Sequence, residues 1–118
     1  MAYVDGFVVA VPTANREKYR AHAATAMPYF FQQGATRFME CWGDDVPHGQ
    51  VTDFYRSVEA KEDETVVFSW IEWPDKATRD AGMARIMEEM PESMKDIPFD
   101  GKRMIYGGFT AIVDERKD

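Results

Sequence analysis

Thr65-Val-Val-Phe-Ser-Trp-Ile-Glu-Trp73 is the stretch on which the fold turns. Its β-branched and aromatic residues fit a pleated surface, and Pro74 stops it because proline has no N–H to give a ladder. So long an apolar run predicts a strand with both faces covered. Downstream, Pro74 and Asp75 mark a helix start, and Ala77, Ala81, Ala84 and Met87 share one helical face. Pro91 ends that helix near Met90. A turn at Pro98 to Gly101 leads to a last strand, Met104 to Val113, and a charged tail, 114–118, expected to fray.

Upstream, Thr36 to Gly43 reads as another strand, and Tyr3 to Val11 as the first, stopped by Pro12. Between these two, Tyr19, Ala23, Ala26, Met27 and Phe30 recur at helical spacing up to about Gly34. Thr13 or Asn15 is the expected side-chain cap. Pro28 lies inside this pattern and predicts a bend or restart at Met27. The segment 46–64 is long for a link between adjacent strands, where about two to five residues suffice. It is expected to carry a short extra element anchored by Phe54, Tyr55 and Val58, which lids a cavity, embraces a partner or packs on its own subunit.

Strand, helix, strand, strand, helix, strand is the ferredoxin-like order of an α+β fold. Right-handed crossovers put both helices on one side of the sheet. The expectation is one domain over 1–118, with two parallel central strands flanked by antiparallel ones. Side chains alternate across a strand, so each strand divides into two sets. Val4, Gly6, Val8 and Ala10, with Met39, Cys41, Val67, Ser69, Ile71, Ile105, Gly107, Phe109 and Ala111, form the smaller set, and small residues suggest the helix side. The bulkier set is assigned to the bare side: Tyr3, Asp5, Phe7, Val9, Phe38, Glu40, Trp42, Val66, Phe68, Trp70, Glu72, Met104, Tyr106, Thr110 and Ile112. Such an aromatic face exceeds the few hundred Å² a monomer leaves in water, and a second copy is the simplest cover. A bulge in any strand reverses its parity.

Composition limits the function classes. A chain 45% hydrophobic with 8 Phe, 5 Tyr and 3 Trp is too apolar to stay disordered. Twenty-one acidic against fourteen basic residues give a net charge of −7, and the basic residues are scattered, which disfavours nucleic-acid binding. No apolar run is long enough for a membrane span, and Met1 to Asp5 does not open a secretion signal. The lone Cys41 suits a reducing compartment, so a cytoplasmic location is expected.

Between two such sheets, Asp5, Phe7, Phe38, Trp42, Phe68, Trp70 and Tyr106 are the candidate ligand-binding residues. Glu40 and Glu72 are the candidate catalytic groups, because a carboxylate desolvated among Trp42, Phe68 and Trp70 has a raised pKa and can exchange protons. The competing reading pairs them with Arg37 or Arg103. Cys41, placed towards the helices, reads as an inert core thiol, and His22 as a solvated surface residue. Asp44, Asp45 and His48 lie in a turn, where carboxylates commonly bond their own backbone. Met83, Met87 and Met90 read as core filler. Neither a metal nor a cofactor is expected, since the phosphate-cradling, dinucleotide and helical zinc motifs are missing.

Glu40-Cys-Trp-Gly-Asp-Asp-Val-Pro47, the run Lys61 to Pro74, Arg79-Asp-Ala-Gly-Met83, and Pro98-Phe-Asp-Gly-Lys-Arg-Met-Ile-Tyr-Gly-Gly-Phe109 carry a resemblance to the YbaA-like family of small bacterial proteins. It spans nearly the whole chain and implies the dimeric alpha-beta barrel superfamily, which includes monooxygenases, dehydratases and stress-response proteins. The resemblance assigns no site residue. Some members are linked by name to a signal-recognition RNA, a role the acidic balance here disfavours. The leading expectation is a homodimer that binds a small apolar or aromatic molecule, with cofactor-free oxygenase or isomerase chemistry. A non-enzymatic binding or stress-associated dimer is the alternative, and RNA binding the second.

Overall fold

A computed structural model describes residues 1–117. The described residues form a four-stranded sheet in the order β2-β3-β1-β4, where β1 is Tyr3–Pro12, β2 Arg37–Trp42, β3 Glu64–Trp73 and β4 Ile105–Thr110. Helices α1, Arg16–Gln32, and α3, Lys76–Glu89, supply the two crossovers, while α2, Phe54–Ser57, lies within the β2–β3 connection. This is the predicted ferredoxin-like order, with one correction. The central strands β1 and β3 run antiparallel, as does every pair in the sheet. Each crossover joins parallel strands that are not neighbours, and the returning strand lies between them. No helix among the described residues is long and apolar enough to cross a membrane.

Pro28 does not interrupt α1, so the expected restart at Met27 is absent. Nor does a side chain cap its start. Asn15 instead donates from Nδ2 to the Pro98 carbonyl at 3.1 Å, and Thr13 bonds Thr65 across the sheet end at 2.8 Å. The far end follows expectation: Gly34 adopts φ +104°, and a Cβ there would lie 2.7 Å from Thr78 Cγ2. The last strand is shorter than expected, since β4 runs only from Ile105 to Thr110 and leaves Ile112 and Val113 exposed. Residue 118 of the charged tail lies outside the described residues.

Register overturns the predicted division of faces in three strands of four. Residues paired across an antiparallel ladder share a face. Phe68, Trp70 and Glu72 do face away from α1 and α3, but their partners are Val8, Gly6 and Val4, not Phe7, Asp5 and Tyr3. In β2 their partners are Cys41, Met39 and Arg37, which turns Phe38, Glu40 and Trp42 to the helix side. In β4, Ile105, Gly107 and Phe109 share the helix-free face, and Tyr106 and Thr110 take the other parity. The helix-side core holds Tyr3, Ile71, Trp73 and Ile86, with Phe7, Phe38, Tyr29, Phe30, Met83 and Met90 against them.

The physical reason is volume matching. Large rings on the sheet meet a few small, buried helix residues, so the layers interdigitate there. The expected α3 stripe of Ala77, Ala81, Ala84 and Met87 is exposed, and Gly82, Met83 and Ile86 face the sheet instead. Trp73, fully buried, lies so close to Gly82 of α3 that a Cβ there would sit 2.9 Å from its ring. Ala23 and Ala26 play the equivalent part in α1. Beneath α3, buried Asp5 accepts hydrogen bonds from Trp73 Nε1 at 2.9 Å and Arg79 Nη2 at 2.7 Å. The Arg79 guanidinium also lies over the Tyr3 ring, 5.2 Å from its centroid. A buried carboxylate persists here because every bond it receives is charge-assisted or fixed by a ring.

Candidate functional site

The helix-free face is a set of cross-strand rows. Arg37, Glu72, Val4 and Phe109 form one; Met39, Trp70, Gly6 and Gly107 the next; Cys41, Phe68, Val8 and Ile105 the third; and Val66 with Ala10 begins a fourth. The connection between β2 and β3 covers one end of it. Val58, Tyr55 and Ala60 pack on Val8, Ala10 and Val66, so this part of the face is a second core. Hence the connection packs on its own subunit, one of the three roles expected of it.

Three interactions hold that connection down. Asp53 caps α2 by accepting from Arg56 N at 2.8 Å and also accepts from Gly49 N at 3.0 Å. These amides hold its carboxyl below the usual carboxylate range. Tyr55 donates to the Val46 carbonyl at 2.6 Å and stacks on His48 at 4.3 Å. Arg103 bonds both oxygens of Glu64 at 2.7 Å and the Glu59 carbonyl at 2.8 Å, tying the connection to the approach to β4. That fork lowers the Glu64 pKa to about 2.

The rest of the face is open. Gly6 and Gly107 leave a trough in the middle row, with the Phe109 ring 3.5 Å from where either Cβ would stand. Val4, Phe68, Trp70, Glu72, Ile105 and Tyr106 complete a concavity of about 650 Å³. Phe68 is 45% exposed and Phe109 61% exposed, although both are fully apolar. Phe54 of α2 meets Phe68 edge-on at 6.0 Å, and Phe68 meets Trp70 at 5.7 Å, so the aromatic wall runs from the connection onto the sheet. Trp70 Nε1 donates to Glu72 Oε2 at 2.9 Å.

Of the residues singled out from sequence, Phe68, Trp70 and Glu72 converge here. Tyr106 reaches the rim from edge strand β4, 74% exposed, and Phe7 borders the hollow while its ring packs on the helix side. Asp5, Phe38, Glu40 and Trp42 lie behind the sheet. Sequence reasoning missed Val4, Gly6, Val8, Ile105, Gly107 and Phe109, since only register brings them together. A signal was present in Gly107-Gly108, because a strand interior seldom spends two glycines without a close approach.

Glu40 is on edge strand β2 and exposed as a residue, yet its carboxylate turns inward to accept from Tyr19 Oη at 2.6 Å. Lost hydration pushes the Glu40 pKa up, against the opposing bonds from Tyr19 and Ser69. Burial, and then the Glu40 charge, push the Tyr19 phenol up as well. Glu40 and Glu72 are thus on opposite faces and do not form one acid–base pair. Arg103 engages Glu64 and Asp100, and Arg37 turns to Met39 Sδ at 3.4 Å, so neither makes the ion pair considered for them. Two further corrections concern single residues. Cys41 is half-buried on the helix-free face beside Phe68, and His22 is half-buried with Nε2 2.8 Å from the Met94 carbonyl. Met83 and Met90 do fill the core, whereas Met87 is exposed.

Comparisons with known proteins agree on family and fold. Two solved structures share the fold over 98% of the chain at low identity. One is a dimeric ferredoxin-like protein from an uncultured marine organism, with TM-score 0.61, 10% identity and 98% of that chain covered. The other is a mutant of SnoaB, a cofactor-independent oxygenase from Streptomyces nogalater, with TM-score 0.55, 16% identity and 96% of that chain covered. The uncharacterized protein YbaA of Escherichia coli strain K12 is 56% identical over 117 residues, 98% of this chain and 100% of its own. YbaA of Shigella flexneri matches to the same extent. The family model described as protein of unknown function, DUF1428, matches residues 2–101. The chain therefore belongs to the DUF1428 family.

Proposed function

We propose that the protein is a homodimer that holds a small apolar or aromatic molecule in the concavity of the helix-free face, with a second copy closing it. One observation carries this reading: a hollow of about 650 Å³ walled by exposed rings lies on the side of the sheet that α1 and α3 leave uncovered. Small-molecule sites fall in the range of roughly 300–1,000 Å³ and are mostly apolar with a few placed polar groups. Left open, the rings would stand in water at a cost of about 25 cal/mol per Å². A second copy is the cover that every molecule of this chain has available, and self-complementary faces make two-fold dimers. The dimeric ferredoxin-like neighbour supports this arrangement by fold analogy.

Chemistry at this face is assigned to Glu72. Its carboxylate borders the hollow and serves as acid or base for a proton on the bound molecule, consistent with a cofactor-free oxygenase or isomerase. SnoaB lends this an analogy of fold alone. Glu40 acts at one remove, fixing α1 through Tyr19. A second reading, binding without catalysis, is favoured by the sparse proton-carrying groups of the lining, where Glu72 and Tyr106 alone are ionisable. RNA binding is opposed by the net charge of −7.

The test uses 2-naphthol as a neutral aromatic probe. Binding is expected to raise unfolding stability by about 2.7 kcal/mol at one hundred times Kd. It is also expected to shift the amide resonances of Gly6 and Gly107 and the indole N–H of Trp70. Absence of any shift, or shifts confined to the helix side, would remove the concavity from the account.

A further inference from the structure

We infer that Trp70 and Glu72 form the polar end of this concavity and select a flat aromatic ligand ending in a hydrogen-bond donor, an amine or a hydroxyl, over one ending in a carboxylate. This rests on the proposed binding site and specifies the chemical class it takes.

The argument starts from who bonds whom. The Trp70 indole N–H is the donor a ligand carboxylate would want, and it is already committed to Glu72 Oε2 at 2.9 Å. That bond fixes the indole along β3 and leaves Glu72 Oε1 with no hydrogen bond from the described residues. A carboxylate accepts at about four lone-pair positions, so an open acceptor remains at the edge of the hollow. The cation across the ladder does not pair with it. Arg37, across the ladder, points its Nη2 at Met39 Sδ, and no ion pair among the described residues includes Glu72.

The floor sets the shape. Gly6 and Gly107 lie side by side, next to Trp70 in the same row, and carry no side chain to fill the trough. The Phe109 ring leans over both glycines, 3.5 Å from where either Cβ would stand. The proposed ligand ring therefore lies against the exposed side of Phe109 and the Trp70 ring, with Phe68 and Ile105 further along the hollow. An aromatic body in that trough brings a substituent near Glu72, which shares its row with Val4 and Phe109.

Charge decides between substituents. A ligand ammonium or hydroxyl donates to Oε1, and bonds with one ionised partner are the strong ones. A ligand carboxylate meets a like charge in an apolar setting and a protein of net charge −7. Tyr106 offers a neutral hydroxyl, but on the exposed rim, where water competes for it.

The experiment is isothermal titration of three probes that share one ring system: 2-naphthylmethylamine, 2-naphthalenemethanol and 2-naphthoate. Each is titrated into the wild-type chain and into Glu72→Gln, with urea unfolding to confirm that the variant folds. The amine is expected to bind roughly tenfold or more tighter than the carboxylate, with the alcohol between. In Glu72→Gln the amine should lose that advantage while the alcohol stays within about twofold. Trp70→Phe keeps a ring and frees Oε2, so it should retain the preference for the amine. A carboxylate that binds as well as the amine, or a preference that survives Glu72→Gln, would overturn the inference while leaving the site intact. Failure of all three probes to bind would overturn the site itself.

Discussion

At the scale of single residues, the packing of the helix layer hinges on what glycine leaves out. Gly82 brings α3 onto the Trp73 ring, where a Cβ would sit 2.9 Å from Cζ3 and 3.1 Å from Gln33 Cβ. Gly82→Ala therefore forces a fully buried indole to shift, at a cost typical of overpacking, roughly 1–3 kcal/mol. The better helix propensity of alanine returns about 1 kcal/mol of that. The net loss is up to about 2 kcal/mol, so urea unfolding should show a midpoint no higher than the parent's with an unchanged slope; a variant more stable than the parent would refute this packing. The same residue shows where legibility failed. Arg79-Asp-Ala-Gly-Met83 stood out as a motif, but its parts are structural: Arg79 pairs with Asp5, Gly82 admits Trp73 and Met83 fills the core. Nothing in the residue types alone distinguishes such a motif from a catalytic one.

At the scale of elements, strand and helix order was readable because each element carries its own signal. Proline punctuates β1 and β3, and the helical stripe from Tyr19 to Phe30 is regular enough to place α1. Facing was not readable, because it depends on pairing between strands distant in sequence. The run Val8 to Val11 is apolar at both parities, and bulky sheet residues such as Tyr3, Phe7 and Trp73 pack under the helices, with Gly82, Ala23 and Ala26 making room and Ala77, Ala81 and Ala84 of α3 exposed. Only β3 kept its predicted facing, with Val66, Phe68, Trp70 and Glu72 on the helix-free side and Val67, Ser69 and Ile71 towards the helices, joined there by the buried Trp73.

The β2–β3 connection is held by an element-scale clamp whose pH dependence has a definite sign. Arg103 lowers the Glu64 pKa from 4.5 to about 2, so the native state binds a proton less readily than the unfolded chain. The stabilisation is then fully present above about 4.5 and is lost as pH falls towards 2. Glu64→Gln, which removes a charge-assisted fork, should cost roughly 2 kcal/mol at pH 7. That difference from the wild type should shrink steadily in unfolding curves between pH 4.5 and 2. A difference that stays constant with pH would show that Glu64 contributes by shape and not by charge.

At the scale of the whole molecule, the account rests on an uneven sheet. One side is buried beneath α1 and α3, and part of the other beneath α2, which leaves the glycine trough and its rings as the open remainder. The sequence already implied an aromatic face in need of a cover, but named the wrong members for it in β1, β2 and β4. What survives the correction is smaller and better defined: a hollow bounded by Phe68, Trp70, Ile105 and Phe109, with Glu72 at its edge. Sedimentation equilibrium at micromolar concentration tests whether a second copy covers it. The account predicts the mass of two 13.6 kDa chains for the wild type and of one chain for Phe109→Asp, which places a charge in the middle of the open rings. A wild-type protein that sediments as one 13.6 kDa chain at that concentration would contradict it.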